Sequence, residues 1–188
     1  MLKNISIISA FSLCILSVFV GQTYSAAEDL GFPGVSIHYA LPAGFCPPTG
    51  KYINIYRNLY GTSRDQILLA GSFRCEAMAA GKIPTEDFVF KTTPAALHTD
   101  MGNRASMLRL SQKTNGGSDD FGVYTVKTSE LRSGDKVVHT MVVGATTVVK
   151  RRVVILDFSS ASQEPLDADR ALKFVKDQAR MFVEENEQ

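Results

Sequence analysis

The chain has 188 residues, with 20 basic and 19 acidic side chains and a formal charge of +1. That balance excludes the basic excess expected of a nucleic-acid or membrane-surface binder. The length is that of one ordinary domain with a leader, enough to bury a proper core.

Residues 1–27 read as a secretory signal peptide. Lys3 supplies the positive start. Residues 5–20 are apolar apart from Ser6, Ser9, Ser12 and Ser17, and Thr23, Ser25, Ala26 and Ala27 offer small-residue cleavage sites. The apolar run falls short of the roughly 20 residues a spanning helix needs. A lipid anchor on Cys14 is excluded, because Leu13 precedes it and Ile15 and Leu16 continue the apolar core. Lys3 is the one charged residue before Glu28, so the mature chain, 28–188, carries 19 basic and 19 acidic residues. It is expected as a single domain, periplasmic or secreted, with no membrane segment after signal removal.

Cleavage leaves two cysteines, Cys46 in "GFCPP" and Cys75. An even count in an exported chain reads as a structural disulfide. A zinc site would need further ligands at short spacing, and the pair is not C-x-x-C. The chain-entropy model values such a loop at about 3.5 kcal/mol. Pro47 and Pro48 stiffen the segment that enters the bridge.

Further along, "EDLGFPG" (28–34) reads as a mobile lead-in and "VSIHYALP" (35–42) as a first strand ending at Pro42. In 51–61, Tyr52, Ile55 and Leu59 fall at helical spacing, and Gly61 is a natural stop. Residues 66–84 admit two readings. One is a single helix opened by Ser63 and Gln66; the other is a strand over 67–74 followed by a short helix over 75–80. Gly71 and Phe73 favour the strand. Another strand is expected over 87–93. A helix is expected over 103–114, with Ala105, Leu108 and Gln112 on one side. Residues 115–120, "NGGSDD", read as a flexible loop, 121–131 as a strand and 132–136 as a hairpin turn. The strongest sheet signal is the pair 137–149 and 153–160 around "KRR", apolar at nearly every position, as in central strands covered on both faces. The chain closes with an amphipathic helix over 166–185, its stripe Leu172, Val175, Ala179, Phe182 and Val183, and a solvated "EENEQ" tail.

The expected fold is therefore α+β: a mainly antiparallel sheet with helices packed on it and a C-terminal amphipathic helix. The cysteine-proline after a short first strand, "ILLAGSF" before the second cysteine, "VVGATTVVKRRVVILDF" and the terminal helix together resemble uncharacterised exported proteobacterial proteins. The layout also resembles the sandwich of PsbP-like proteins. That resemblance covers most of the mature chain and implies an α/β/α sandwich and a binding or assembly role. It carries over no functional residue.

Catalytic motifs are absent: there is no H-E-x-x-H, G-x-S-x-G or Walker loop. His38 and His139 fall in expected strands and read as structural, and His98 with Asp100 makes too small a metal set. The carboxylate pairs Glu86-Asp87 and Asp119-Asp120 read as solvated. Asp157 in "DFSSAS" reads as a strand end passing into a loop. Lys150, Arg151 and Arg152 are the one dense basic run, a docking candidate for an acidic partner or phosphate, or simply a solvated hairpin tip. The reading is an exported, non-catalytic binding or assembly module whose partner is a protein or small molecule, with no cofactor and no nucleic acid. The alternative is a small hydrolase whose site assembles only in three dimensions.

Overall fold

The computed structural model describes residues 28–61, 64–110 and 114–187. The elements in chain order are β1 (Glu28–Asp29), β2 (His38–Tyr39), β3 (Phe45–Cys46), α1 (Lys51–Tyr60), β4 (Ile67–Arg74), α2 (Cys75–Ala79), β5 (Glu86–Thr92), α3 (Pro94–His98), α4 (Arg104–Leu110), β6 (Ser118–Asp119), β7 (Gly122–Ser133), β8 (Lys136–Val149), β9 (Arg152–Ser162) and α5 (Ala168–Asn186). Seven strands form one antiparallel sheet in the order β3-β4-β5-β9-β8-β7-β6, and β1 and β2 pair separately. The fold is the expected α+β arrangement, with strand then short helix over 67–79.

Strand alternation sorts the sheet into two unlike faces. Phe88 and Phe90 on β5 stand beside Phe158 and Leu156 on β9, which stand beside Val143 and Ala145 on β8. All are buried, and α5 lies over them. The Phe174 ring meets Phe88 at 5.8 Å and Phe158 at 5.3 Å, and Phe182 meets Phe90 at 5.5 Å. Asp167 starts α5 by accepting the Arg170 amide at 2.9 Å, an N-cap bond. The other face carries Gly71, Phe73, Asp87, Val89, Lys91, Asp157 and Ser159. Helix α1 covers its β4–β5 half.

The face of α1 that does this is not the expected one. Tyr52, Tyr56 and Tyr60, spaced i, i+4, i+8, turn to the sheet, while Leu59 is 58 % exposed. The Tyr56 ring packs edge-on to Phe73 at 5.8 Å, and its hydroxyl lies where a Cβ on Gly71 would be. The glycine that weakens the strand thus admits the helix.

Other expectations are corrected at the chain ends. The 28–34 segment is no loose lead-in: Leu30 and Phe32 are buried in the main core. Only His38–Tyr39 of the first expected strand is strand, and it pairs with β1 rather than with the main sheet. Nor is the "EENEQ" tail simply solvated. Asn186 is buried, its Oδ1 accepting the His38 amide and its Nδ2 donating to the His38 carbonyl, both at 2.8 Å. Glu187 takes two bonds from the Arg104 guanidinium, at 2.6 and 2.9 Å.

In the middle of the chain, Thr93 caps an unexpected helix, α3, with Pro94 in its first turn. Of the helix expected over 103–114, α4 covers 104–110, and Gln112 lies outside the described residues. The 115–120 segment is an ordered turn. Asp119 Oδ1 accepts the Phe121 amide at 2.9 Å and the Tyr124 hydroxyl at 2.7 Å, and Gly116 and Gly117 bond to Tyr124. Asp119 is therefore an organising turn residue.

Strands β8 and β9 do sit at the middle of the sheet, but not covered on both faces. From Val153 to Ala161 along β9 the core face is buried and the other half-buried in alternation, and Val142 on β8 is 37 % exposed. The β7–β8 hairpin also runs on beyond β9 as an arm, exposed through 127–136. Amide exchange should therefore be slowest over 143–149 and 154–158 and faster by orders of magnitude over 129–136. Deuterium uptake of peptides from each segment, read by mass spectrometry, checks this. Equal protection in the arm and the centre would refute the exposed-arm reading.

Candidate functional site

A cavity of about 570 Å³ opens between the 40–47 segment and α5. Its inner wall is formed by Phe90 and Leu156 of the sheet and Phe182 of α5. Ala40, Leu41, Pro42, Phe45 and the Cys46–Cys75 pair form the opposite wall. Along α5 the lining residues are Gln178, Met181, Phe182 and Glu185, the i, i+3, i+4, i+7 stripe of one helix face. Volume and lining are those of small-molecule sites, which span roughly 300–1,000 Å³ and are mostly apolar with a few polar groups.

Local sequence explains why this wall stands away from the helix. Pro42 ends the extended entry, and the Phe45 amide returns to the Pro42 carbonyl at 3.0 Å. Gly44 takes φ 81, the left-handed conformation needed at the third position of a type II turn. Phe45 and Cys46 then pair with Arg74 and Phe73, and the Cys75 amide donates to the Gly44 carbonyl at 2.9 Å. Cys46 and Cys75 stand at disulfide distance with Cα atoms 5.0 Å apart. Arg74 places its guanidinium 4.3 Å from the Phe45 ring centre while pairing with Glu86. The wall is held by turn, strand pairing, cystine and cation–π contact together.

The opposite face of the sheet holds a polar cluster. Asp87 accepts the Tyr60 hydroxyl from α1 and a bond from Ser159 across the strand pair. Lys91 Nζ pairs with Asp157 Oδ2 at 2.8 Å, both side chains close to buried (12 % and 13 % exposed). The same ammonium lies 5.1 Å from the Tyr60 ring centre. Gly144 makes room for this pair, since a Cβ there would stand 2.6 Å from Asp157 Oδ1. Burial pushes the Asp87 carboxyl up to about 6, against the bonds from Tyr60 and Ser159 that favour its charged form. Burial, and then the Asp87 charge, push the Tyr60 phenol up. Glu86-Asp87 is thus no solvated pair, and Asp157 is a mid-strand ion-pair partner.

The structure distributes the remaining sequence candidates away from the cavity. Lys150 and Arg151 make the two-residue turn between β8 and β9, both at positive φ (45 and 65). Lys150 Nζ donates to the Ser36 carbonyl at 2.8 Å, and Arg151 pairs with Asp100 at 2.7 Å. Arg152 is half-buried, with Nε and Nη1 unpartnered among the described residues. Two of the three cations thus pin the hairpin tip to its surroundings. The histidines stay apart: His38 is held by its backbone, His98 ends α3, and His139 faces Glu130 at 3.5 Å. None lines the cavity. Of the sequence candidates, only Cys46 and Cys75 do. Sequence reasoning missed Leu41, Met181 and Glu185, which come together only in the folded chain.

No protein-family model matches the chain, and no curated protein matches it.

Two outcomes are expected from these contacts. Replacing Cys46 and Cys75 together by serine should cost on the order of 2–5 kcal/mol in urea unfolding. An unchanged midpoint and slope would remove the pair from the fold's support. The second concerns Asp87. Its carboxyl is raised from an ordinary value near 3.8 to about 6, so the folded protein holds the proton more tightly than the unfolded chain. The stability this contributes is full below pH 4 and is lost as pH rises through about 6. Asp87→Asn carries no such proton, so its stability relative to wild type should rise between pH 4 and pH 8 by on the order of 2–3 kcal/mol. Parallel stability curves for the two proteins across that range would sink this account of Asp87.

Proposed function

We propose that this chain is an exported, non-catalytic binding module that takes a small, mostly apolar molecule into the cavity between the 40–47 wall and α5. The observation that carries the reading is the cavity itself: about 570 Å³, walled by Leu41, Pro42, Phe45, Phe90, Leu156 and Phe182. Apolar walls of this kind bind by removing ligand surface from water, at roughly 25 cal/mol per Å². The rigid 40–47 wall favours binding because little ordering is left to be done when the ligand arrives.

Export is part of the same proposal. It rests on the 1–27 segment read as a signal and on a cysteine pair at disulfide distance, a chemistry that persists in oxidising compartments. Among the described residues no helix is long and apolar enough to cross a membrane. The PsbP-like resemblance enters as a likeness of layout, supported by a sheet with α1 on one face and α5 on the other.

N-phenylnaphthylamine, a neutral dye that brightens in apolar surroundings, tests the reading. It should bind the mature protein saturably at one site. Ala40→Phe, which puts a ring into the cavity from its wall, should weaken binding by about tenfold while leaving circular dichroism unchanged. The double serine variant of Cys46 and Cys75 should also weaken it at a temperature where that variant stays folded, because the cystine is part of the wall. Dye affinity unaffected by Ala40→Phe would place the binding elsewhere and overturn the proposal.

A further inference from the structure

The cavity's charged and polar groups are unevenly placed, and this bears on its ligand. Among the described residues, the lining side chains include no lysine, arginine or histidine. Arg74, which stands against the wall at Gly44, is engaged by Glu86 and by the face of Phe45. The one charged side chain on the lining is Glu185, with the Gln178 amide two turns earlier on the same stripe of α5. Between them lie Met181 and Phe182, so an apolar centre about 10 Å long is bordered by an amide and a carboxylate.

Two further features carry the same sign. Glu185 falls in the last turn of α5, where the unpaired carbonyls form the negative end of the helix dipole. On the facing wall Pro42 and Pro47 have no N–H to offer, and the Phe45 amide is spent on the Pro42 carbonyl. An anionic head would meet the Glu185 carboxylate and, among the described lining residues, no cation. A cationic head would meet a carboxylate and a helix C-terminus.

The geometry points to a ligand class within the proposed binding function, on which this inference rests: an amphiphile with a single apolar body and a cationic or hydrogen-bond-donating nitrogen head, an amine rather than a carboxylic acid. The apolar body fills the space over Phe90 and Leu156, and the head lies at the mouth beside Glu185. That carboxylate is solvent-exposed and in contact with water, so it selects the head rather than supplying most of the affinity.

Competition against bound N-phenylnaphthylamine measures this directly, using dodecylamine, dodecanol and dodecanoate at pH 7 and below the concentrations at which they aggregate. Dodecylamine should displace the dye at about tenfold lower concentration than dodecanoate, with the alcohol between them, and added salt should narrow the gap. Glu185→Gln should bring amine and carboxylate within about threefold of each other, and Glu185→Lys should reverse their order, each read as the ratio of the two competitors within one variant so that any change in dye affinity cancels. Dye binding with equal competition by the three chains, or a preference that survives Glu185→Lys, overturns the amine inference and leaves the cavity reading standing. Failure of the dye to bind the wild-type protein overturns the cavity reading, and the amine inference with it.

Discussion

The Phe45 ring is held on several sides at once. It stacks on Phe174 of α5 at 6.1 Å and meets Phe88 and Phe158 of the sheet at 6.2 and 6.3 Å, while the Arg74 guanidinium caps it at 4.3 Å. Aromatic pairs in these tilted and edge-on arrangements are worth about 0.5–1.5 kcal/mol each beyond the area they bury. Three elements remote in sequence are therefore joined through one side chain: the N-terminal segment, the central sheet and the closing helix. The cystine is the neighbouring residue's contribution to the same junction. Because Phe45 follows a glycine turn directly, fixing its ring also fixes the 40–44 stretch, and that stretch is the cavity wall. Stability and the shape of the cavity share one anchor, which is why Cys46 belongs to both.

The two faces of the sheet solve burial differently. On the α5 side, apolar rings and branched chains exclude water, and the hydrophobic effect suffices. On the α1 side, tyrosines approach a strip that carries Asp87, Lys91, Asp157 and Ser159. Taking charges from water costs more than one contact returns, so each member has a partner: Asp87 with Tyr60 and Ser159, Asp157 with Lys91. The tyrosines at the first and last of three successive turns of α1 follow from this, whereas the Tyr56 hydroxyl is buried beside Gly71 with no partner among the described residues. Tyr52 donates to the Lys82 carbonyl at 2.9 Å and Tyr60 to Asp87, each laying a ring on the sheet while satisfying its hydroxyl. Leucine at those positions would cover the strip without serving its polar atoms.

What could be read from the sequence was whatever depended on local pattern. The β8–β9 hairpin, the strand-then-helix over 67–79, the cysteine pair and the stripe of α5 all declare themselves through spacing, parity and β-branched runs. The misreadings share a different cause. Leu30 and Phe32 lie in a glycine- and proline-rich stretch with no periodicity, so only the tertiary fold shows them buried. Tyr52 was expected on the inner face of α1, but Tyr56 and Tyr60 lost to Ile55 and Leu59 because amphipathic reasoning counts hydrophobicity, whereas this interface is built of aromatic rings. Glu86 and Asp87 were assigned to solvent as part of a polar connection, but both belong to β5, and alternation there turns Asp87 to the α1 side. The cavity has no local signature at all. Its walls come from residues more than 130 positions apart, and it exists only because the turn at Gly44 and the last turns of α5 are held without touching.

Helix α5 carries the clearest sign that this separation is a property of the fold and not slack in it. A helix that only closed a sheet would need one apolar stripe, and Val175, Ala179, Phe182 and Val183 supply it. Met181 lies beside that stripe, 48 % exposed, on the cavity lining. Were the 40–47 segment free to move, collapse onto Met181 would bury that side chain at a gain of roughly 1.5–3 kcal/mol. The segment does not collapse because the type II turn, the pairing with Phe73 and Arg74, the cystine and the seat of Phe45 on Phe174 hold it away from Met181. An apolar surface kept open by constraints of that strength remains available to something else, and a flexible thioether is well suited to meet a ligand of variable shape.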